Sequence, residues 1–259
     1  MKLIYKPKGA AGEYARYAVN FYLGCPHGCK YCYLKRGVSA KVLGGDTPTL
    51  RAGYDNIIWE LNDFKSDLME KGTKLREKGI FFSFTTDPLI KETYQATIDA
   101  VEMCLPYQIP TTILTKCADY YDALEKKVDA DKASLVTVGT TLTGFDNLEP
   151  RASKNSDRID MLKRAKRYGF NTFVSLEPII DLETSIQMIC DAVEYTDEFR
   201  IGLKTPVKSD NYPIEGMRWF VKTAKAICDR HGVRIVWKDS FRKLANKYGL
   251  NNITDEHDK

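Results

Sequence analysis

Short apolar runs rich in β-branched residues alternate along this chain with longer stretches in which apolar residues recur at helical spacing. Runs at 18–23, 79–84, 111–115, 134–138, 171–176 and 199–203 predict strands, and a seventh lies at 233–237. Between them, Ile57, Leu61, Phe64 and Leu68 fall at i, i+4, i+7 and i+11, and Leu182, Ile186, Ile189 and Val193 repeat that spacing. Ile98, Val101 and Leu105 mark a further helix, as do Ile159, Leu162 and Ala165, and Met217, Val221, Ala224 and Cys228. Such stripes are faces that pack on a sheet. Regular βα alternation without an internal repeat or linker implies a parallel sheet with right-handed crossovers. The predicted fold is α/β: a partial (β/α)6-type TIM barrel with a parallel sheet and a short C-terminal extension. One domain of 259 residues is expected, with 1–17 as a cover, 18–205 as the barrel core and 206–259 as the extension.

In such barrels the chemistry sits at the C-terminal ends of the strands. That rule selects Thr85-Thr86-Asp87-Pro88 after the second strand, Lys116 after the third and Glu177-Pro178 after the fifth. It also selects the segment after the first strand, Gly24-Cys25-Pro26-His27-Gly28-Cys29-Lys30-Tyr31-Cys32-Tyr33, which places three cysteines within eight residues. Thiolates this close, with glycine and proline bending the backbone between them, can converge on one metal centre. Three thiolates can hold three irons of a [4Fe–4S] cluster and leave the fourth open to a small molecule.

The same cysteines allow a structural zinc site with His27 as fourth ligand. Zinc sites usually pair their ligands and complete the set with a second pair. Cys104, Cys117, Cys190 and Cys228 are scattered singly and provide no such pair. A zinc-bearing nucleic-acid-binding module and a non-catalytic iron–sulfur protein for electron transfer or sensing stay open as alternatives.

Composition narrows the setting. A hydrophobic content of 43% and charged content of 29% describe a globular protein. No run of about 18 apolar residues occurs, so no membrane span is expected, and the start Met1-Lys2-Leu3-Ile4-Tyr5-Lys6-Pro7 lacks the apolar core of a signal peptide. Seven cysteines without a secretory signal predict a reducing compartment, the cytoplasm. A net charge of +4 permits a nucleic-acid partner without demanding one. Lys35, Arg36, Lys41 and Arg51, in the 35–51 loop, are candidates to meet a phosphate.

The cysteine pattern resembles the signature of the radical S-adenosylmethionine (SAM) enzymes. From the first strand to about residue 180 the chain resembles the spore photoproduct lyase-like branch of that superfamily. The resemblance is carried by Tyr31 and Tyr33, Phe82-Ser83-Phe84-Thr85-Thr86-Asp87-Pro88, Leu114-Thr115-Lys116 and Leu148-Glu149-Pro150-Arg151-Ala152. Val174-Ser175-Leu176-Glu177-Pro178-Ile179 and Trp237-Lys238 look more like a phage-associated group of uncharacterised proteins related to the branch.

The resemblance implies a [4Fe–4S] cluster on Cys25, Cys29 and Cys32, with SAM as second cofactor and a reductant such as flavodoxin or ferredoxin. It implies that Tyr31 packs on adenine, Tyr33 holds the cofactor, Thr86 meets the SAM amino group and Lys116 pairs with its carboxylate. Thr137 or Thr141, which share a face of the fourth strand by two-residue alternation, would bind the ribose hydroxyls. Glu177 lies near the adenosine, and Glu177 and Arg151 are the candidate catalytic residues. The implied reaction is hydrogen abstraction by a 5′-deoxyadenosyl radical from a substrate that is a base in DNA or RNA, or a nucleotide. In the lyases a cysteine hydrogen-atom donor stands where this chain has Phe84, so spore photoproduct repair is not expected.

Overall fold

The computed structural model describes residues 3–37, 40–51, 54–250 and 253. Nine strands are present among them: β1 (Ala18–Val19), β2 (Tyr22–Leu23), β3 (Thr49–Leu50), β4 (Ile80–Phe82), β5 (Thr111–Thr115), β6 (Val136–Thr141), β7 (Asn171–Ile179), β8 (Glu198–Leu203) and β9 (Arg234–Trp237). Seven form one sheet in the order β1-β4-β5-β6-β7-β8-β9, and every neighbouring pair is parallel. This is the partial-barrel α/β architecture expected from the alternation. The seventh strand extends the sheet by pairing Glu198–Ile201 of β8 with Arg234–Trp237.

Two strand boundaries differ from the sequence pattern for visible reasons. The run at 18–23 is broken because the Asn20 side chain accepts hydrogen bonds from the Phe84 amide (2.8 Å) and the Ser83 hydroxyl (3.0 Å), while the Phe21 ring packs against Phe64 and Phe82. Only β1 stays in the main sheet; β2 pairs antiparallel with β3. The fourth strand starts at Val136 rather than 134, because Ala130–Leu135 is a 3-10 turn, and it runs on to Thr141.

Crossovers are made by α2 (Ile57–Lys78), α3 (Tyr94–Cys104), α4 (Tyr121–Glu125), α5 (Asn155–Tyr168), α6 (Leu182–Ala192) and α7 (Ile214–His231); α1 (Ala40–Leu43) lies in the loop before β3 and α8 (Asp239–Lys247) follows β9. The Asn56 side chain caps α2 by accepting from the Ile58 amide at 2.8 Å. At its other end Gly79 has φ +66°, and a Cβ there would stand 2.8 Å from the Pro110 carbonyl, so glycine is required. Asp181 caps α6 in the same way.

The helical stripes bury as expected. Phe64, Leu68 and Val101 pack with Ile113 and Val138 on one half of the sheet; Ile189, Phe220 and Phe241 pack with Trp237 on the other. A third, small cluster of Ala18, Phe81 and Phe173 plugs the barrel interior. Gly139 of β6 makes room for the Phe173 ring, which would lie 2.0 Å from a Cβ. No helix among the described residues is long and apolar enough to cross a membrane.

One buried group opposes this packing. Glu60, in the first turn of α2, is fully buried, and neither carboxylate oxygen has a hydrogen-bond partner among the described residues. Burial raises its pKa from 4.5 to about 7; Asp63 adds to the rise and Arg51 opposes it. A folded-state value above the unfolded one means the native protein holds an extra proton between about pH 4.5 and 7. The contribution to stability is therefore complete below pH 4.5 and lost as pH rises through 7. That shift corresponds to about 3 kcal/mol. Urea unfolding at pH 5 and pH 8 should show Glu60→Gln to have a flatter pH dependence than the wild type by about this amount; parallel profiles would mean the carboxylate is solvated.

Candidate active site at the C-terminal ends of the strands

The strand ends open onto one cavity of about 980 Å³. One wall is the cysteine loop, and the sequence folds it tightly. Gly24 has φ +90°, and a Cβ there would stand 2.8 Å from the Thr47 carbonyl, so the chain turns at a position open only to glycine. The Gly24 amide donates to the Thr85 carbonyl (3.0 Å), the Cys25 amide to Gly45 (2.8 Å) and the Lys30 amide to Leu148 (2.9 Å). Cys25, Cys29 and Cys32 all line this wall. Burial pushes the Cys25 thiol up to about 12, with the Asp87 charge adding to it, and burial raises Cys29 as well.

Behind the loop, Asp87 is buried and accepts from Thr115 Oγ1 (2.6 Å), the Lys116 amide (2.7 Å), the Leu89 amide (3.0 Å) and His27 Nε2 (2.8 Å). Burial alone would raise its pKa; the His27 charge and these donors outweigh that and leave it below the usual carboxylate range. The other His27 nitrogen, Nδ1, faces the Arg151 carbonyl at 3.0 Å. Both ring nitrogens are thus committed to oxygen acceptors, and His27 serves as a clamp between loop and strand end. It has no free nitrogen to complete a zinc site.

The remaining candidates divide clearly. Tyr31, Tyr33, Thr86, Lys116, Thr141 and Glu177 line the cavity with the cysteines. The Lys116 ammonium lies 5.5 Å from the centroid of the Tyr31 ring. Thr86 is buried, and its hydroxyl has no hydrogen-bond partner among the described residues. Tyr33 donates its hydroxyl to the Phe84 carbonyl.

Thr137 is not in this group. It lines a separate cavity of about 280 Å³ with Asn171 and Asp197 at the opposite ends of the strands. Arg151 does not line the cavity either: its side chain is half-exposed, 3.5 Å from Asp46, and lies against Gly28.

Several site residues were not singled out by strand-end reasoning. Tyr31 donates its hydroxyl to Glu149, which is fully buried and paired with Arg158 at 2.5 Å. Arg158 also donates to the carbonyls of Thr141 (2.6 Å) and Ser153 (2.8 Å), so one guanidinium ties the end of β6 to the ring under Lys116. The sequence signal for it is a charged residue on an apolar stripe, at i−3, i−4 and i−7 from Met161, Leu162 and Ala165.

On the far side, Glu177 accepts from Tyr14 (2.8 Å) and pairs with the buried Lys238. Gly202 leaves space for Glu177, since a Cβ there would stand 2.8 Å from its Oε1. Lys238 obeys the strand-end rule, following β9 directly as Lys116 follows β5.

The cavity is suited to a metal–sulfur centre with a zwitterionic partner. Three thiols share a wall, although among the described residues no three metal-ligating side chains are drawn together as a formed site. An orphaned buried hydroxyl and an ammonium adjoin them on the next two strand ends.

No family model matches the chain. It is 27% identical to an uncharacterised protein of Acidianus two-tailed virus, over 96% of this chain and 86% of that protein. It is 26% identical to an uncharacterised protein of Methanocaldococcus jannaschii, over 93% and 84%. Among solved structures, a spore photoproduct lyase double mutant with bound AdoMet and dinucleoside spore photoproduct superposes with a TM-score of 0.68 at 13% identity, covering 91% of this chain and 79% of that one. Streptococcus suis SuiB bound to S-adenosylmethionine gives 0.57 at 14% identity, covering 85% and 46%. The chain therefore has the partial-barrel fold found in spore photoproduct lyase and SuiB.

Proposed function

We propose that this chain is a radical SAM enzyme. The observation that carries the reading is the convergence, on one cavity at the strand ends, of three thiols, an unpartnered buried threonine hydroxyl and a lysine ammonium. Cys25, Cys29 and Cys32 would hold three irons of a [4Fe–4S] cluster. When bound, the cluster supplies the electron that splits SAM into methionine and a 5′-deoxyadenosyl radical, which takes hydrogen from a substrate.

The chain's own residues hold and orient. Thr86 offers its free hydroxyl oxygen to the SAM amino group, which ends the isolation of that buried atom. Lys116 offers a point charge to the carboxylate. Tyr31, fixed by Glu149, gives a flat apolar face for adenine, with Tyr33 beside it. Thr141 and Glu177, on the next two strands, border the adenosine side. Arg151 is left out of this scheme, and Glu177 is a positioning residue held by Tyr14 and Lys238. The Phe84 ring stacks on Phe81 at 4.4 Å and offers no transferable hydrogen of the kind a thiol has, which supports a reaction other than repair of spore photoproduct. A one-electron donor of the flavodoxin or ferredoxin class and a reducing, cytoplasmic setting complete the proposal.

The test is anaerobic reconstitution followed by a strong reductant and SAM, with 5′-deoxyadenosine measured by chromatography. Slow formation without substrate is expected. Loaded cluster without any SAM cleavage would favour the electron-transfer or sensor alternative. Lys116→Ala should weaken SAM binding by about 1–3 kcal/mol, the range for a charge-assisted contact; an unchanged dissociation constant would remove Lys116 from the site.

A further inference from the structure

The cavity has a second charged wall, opposite in chemistry to the cysteine loop. It is built by the Gly9–Glu13 turn, the segment after β8 and helix α8, and it carries Lys8, Lys204, Lys243 and Lys247. The acids that share the cavity are already engaged. Asp87 is taken by His27, Glu177 by Lys238 and Tyr14, and Glu13 by Lys238 and the Asp239 amide. Asp239 pairs with Arg242 and, at 3.6 Å, with Lys243. Lys8, Lys204 and Lys247 have no acidic partner among the described residues. Lys243 and Lys247 stand four apart on one helix face, an arrangement that is mildly unfavourable until an anion sits between them.

The 35–51 loop looks different in this respect. Lys35 pairs with Asp46, which also faces Arg151, and Arg36 donates to the carbonyls of Lys30 and Thr205. Residues 38 and 39 of that loop lie outside the described residues. Lys35 and Arg36 are spent on holding this loop, the cysteine loop and the segment after β8 together, Lys41 is exposed, and Arg51 is half-buried with its charge acting on Glu60.

We propose that Lys8, Lys204, Lys243 and Lys247 form the phosphate subsite of the substrate, which is a nucleotide unit, free or within a strand. Lysines are point-charge binders suited to phosphate oxygens. The wall also presents the half-exposed Val207 and the buried Leu244, an apolar surface beside the charges. A cavity of about 980 Å³ is at the upper end of the range for single ligands and has room for a nucleotide unit beside SAM. The phosphate would then lie on the α8 side and the remainder of the substrate would point toward the cysteine wall. The inference rests on the radical SAM reading only for that orientation; phosphate binding itself is independent of it.

The experiment measures binding of a fluorescent single-stranded oligonucleotide, as DNA and as RNA, by anisotropy at two ionic strengths with SAM present. Competition by a nucleoside 5′-monophosphate and by the same nucleoside without phosphate completes it. The monophosphate should compete and the nucleoside should not. Lys204→Glu with Lys247→Glu should weaken binding at least tenfold and lower the salt slope by about 1.4 for a strand, 0.7 for each phosphate contact. Lys41→Glu should change it little. An oligonucleotide that binds far more tightly than the monophosphate identifies a strand as the source; equal affinity identifies the free nucleotide. The proposal is overturned if no phosphate-bearing probe binds at low salt. It is also overturned if the double variant, shown by its melting curve to be folded, binds as the wild type does, or if Lys41→Glu removes the binding instead. Failure of the radical SAM reading would register separately, as absence of 5′-deoxyadenosine in protein that still binds phosphate.

Discussion

Alanine at Cys25, Cys29 or Cys32 should abolish both cluster loading and SAM cleavage, while alanine at Cys190 or Cys228 should leave both intact. The expectation follows from where the thiols stand. The first three share a wall of the strand-end cavity, whereas Cys228 is buried within α7 and Cys190 is exposed on α6. The half-buried Cys25 thiol, pushed up to about 12, is protonated at neutral pH, and a cationic metal centre would favour loss of that proton and binding of the thiolate. With two thiolates left, one iron would lack its protein ligand and the cluster would not be retained. Iron and sulfide analysis after anaerobic reconstitution should give about four of each per wild-type chain and little in the three variants. One zinc per colourless chain would support the structural-metal alternative. Loss of the cluster in Cys228→Ala as complete as in Cys29→Ala would show that the three-thiolate assignment is wrong.

The strands and their order of chemistry were legible because apolar runs and the residues just past them are local properties. Lys116, Thr86 and Glu177 follow or end strands, and the barrel topology brings all such positions to one side. Thr137 shows what alternation leaves out. It shares a face with Thr141, but four residues of strand advance the chain by about 13 Å, so the two threonines stand at opposite ends of β6. Periodicity specifies the face of a strand and is silent about the depth at which a site lies. Arg151 stands within a matching motif, yet the turn after Leu148 directs it outward, and the arginine that braces Tyr31, through Glu149, is Arg158, seven residues on. Helix α8 was missed because its apolar face is carried by Phe241, Leu244 and Ala245 alone, in a segment that otherwise reads as polar. The antiparallel β2–β3 pair escaped for a related reason: it depends on Asn20 breaking a run that looks continuous.

Replacing Arg158 with Met should cost the fold about 3–5 kcal/mol, the usual penalty for stranding one member of a buried ion pair. Glu149 would keep only the Tyr31 hydroxyl and a long contact from Thr143 (3.4 Å), and the carbonyls of Thr141 and Ser153 would lose their donor. Both members of the pair have no exposed side-chain surface, so solvent cannot take over these bonds. Against a total stability of order 5–15 kcal/mol, a loss of this size removes a large share. Urea unfolding at 25 °C measures it. The second variant, Glu149→Leu with Arg158→Met, removes both charges together and should recover much of the loss, because the cost lies in the unpaired charge rather than in the pair itself. The two variants part company on function. Neither can hold the Tyr31 hydroxyl as Glu149 and Arg158 do together, so SAM binding should stay weakened in the double variant even where stability returns. A single variant that loses less than about 1 kcal/mol would show that water reaches this pair; a double variant with wild-type SAM affinity would show that Tyr31 is held in place by packing of the cysteine loop alone.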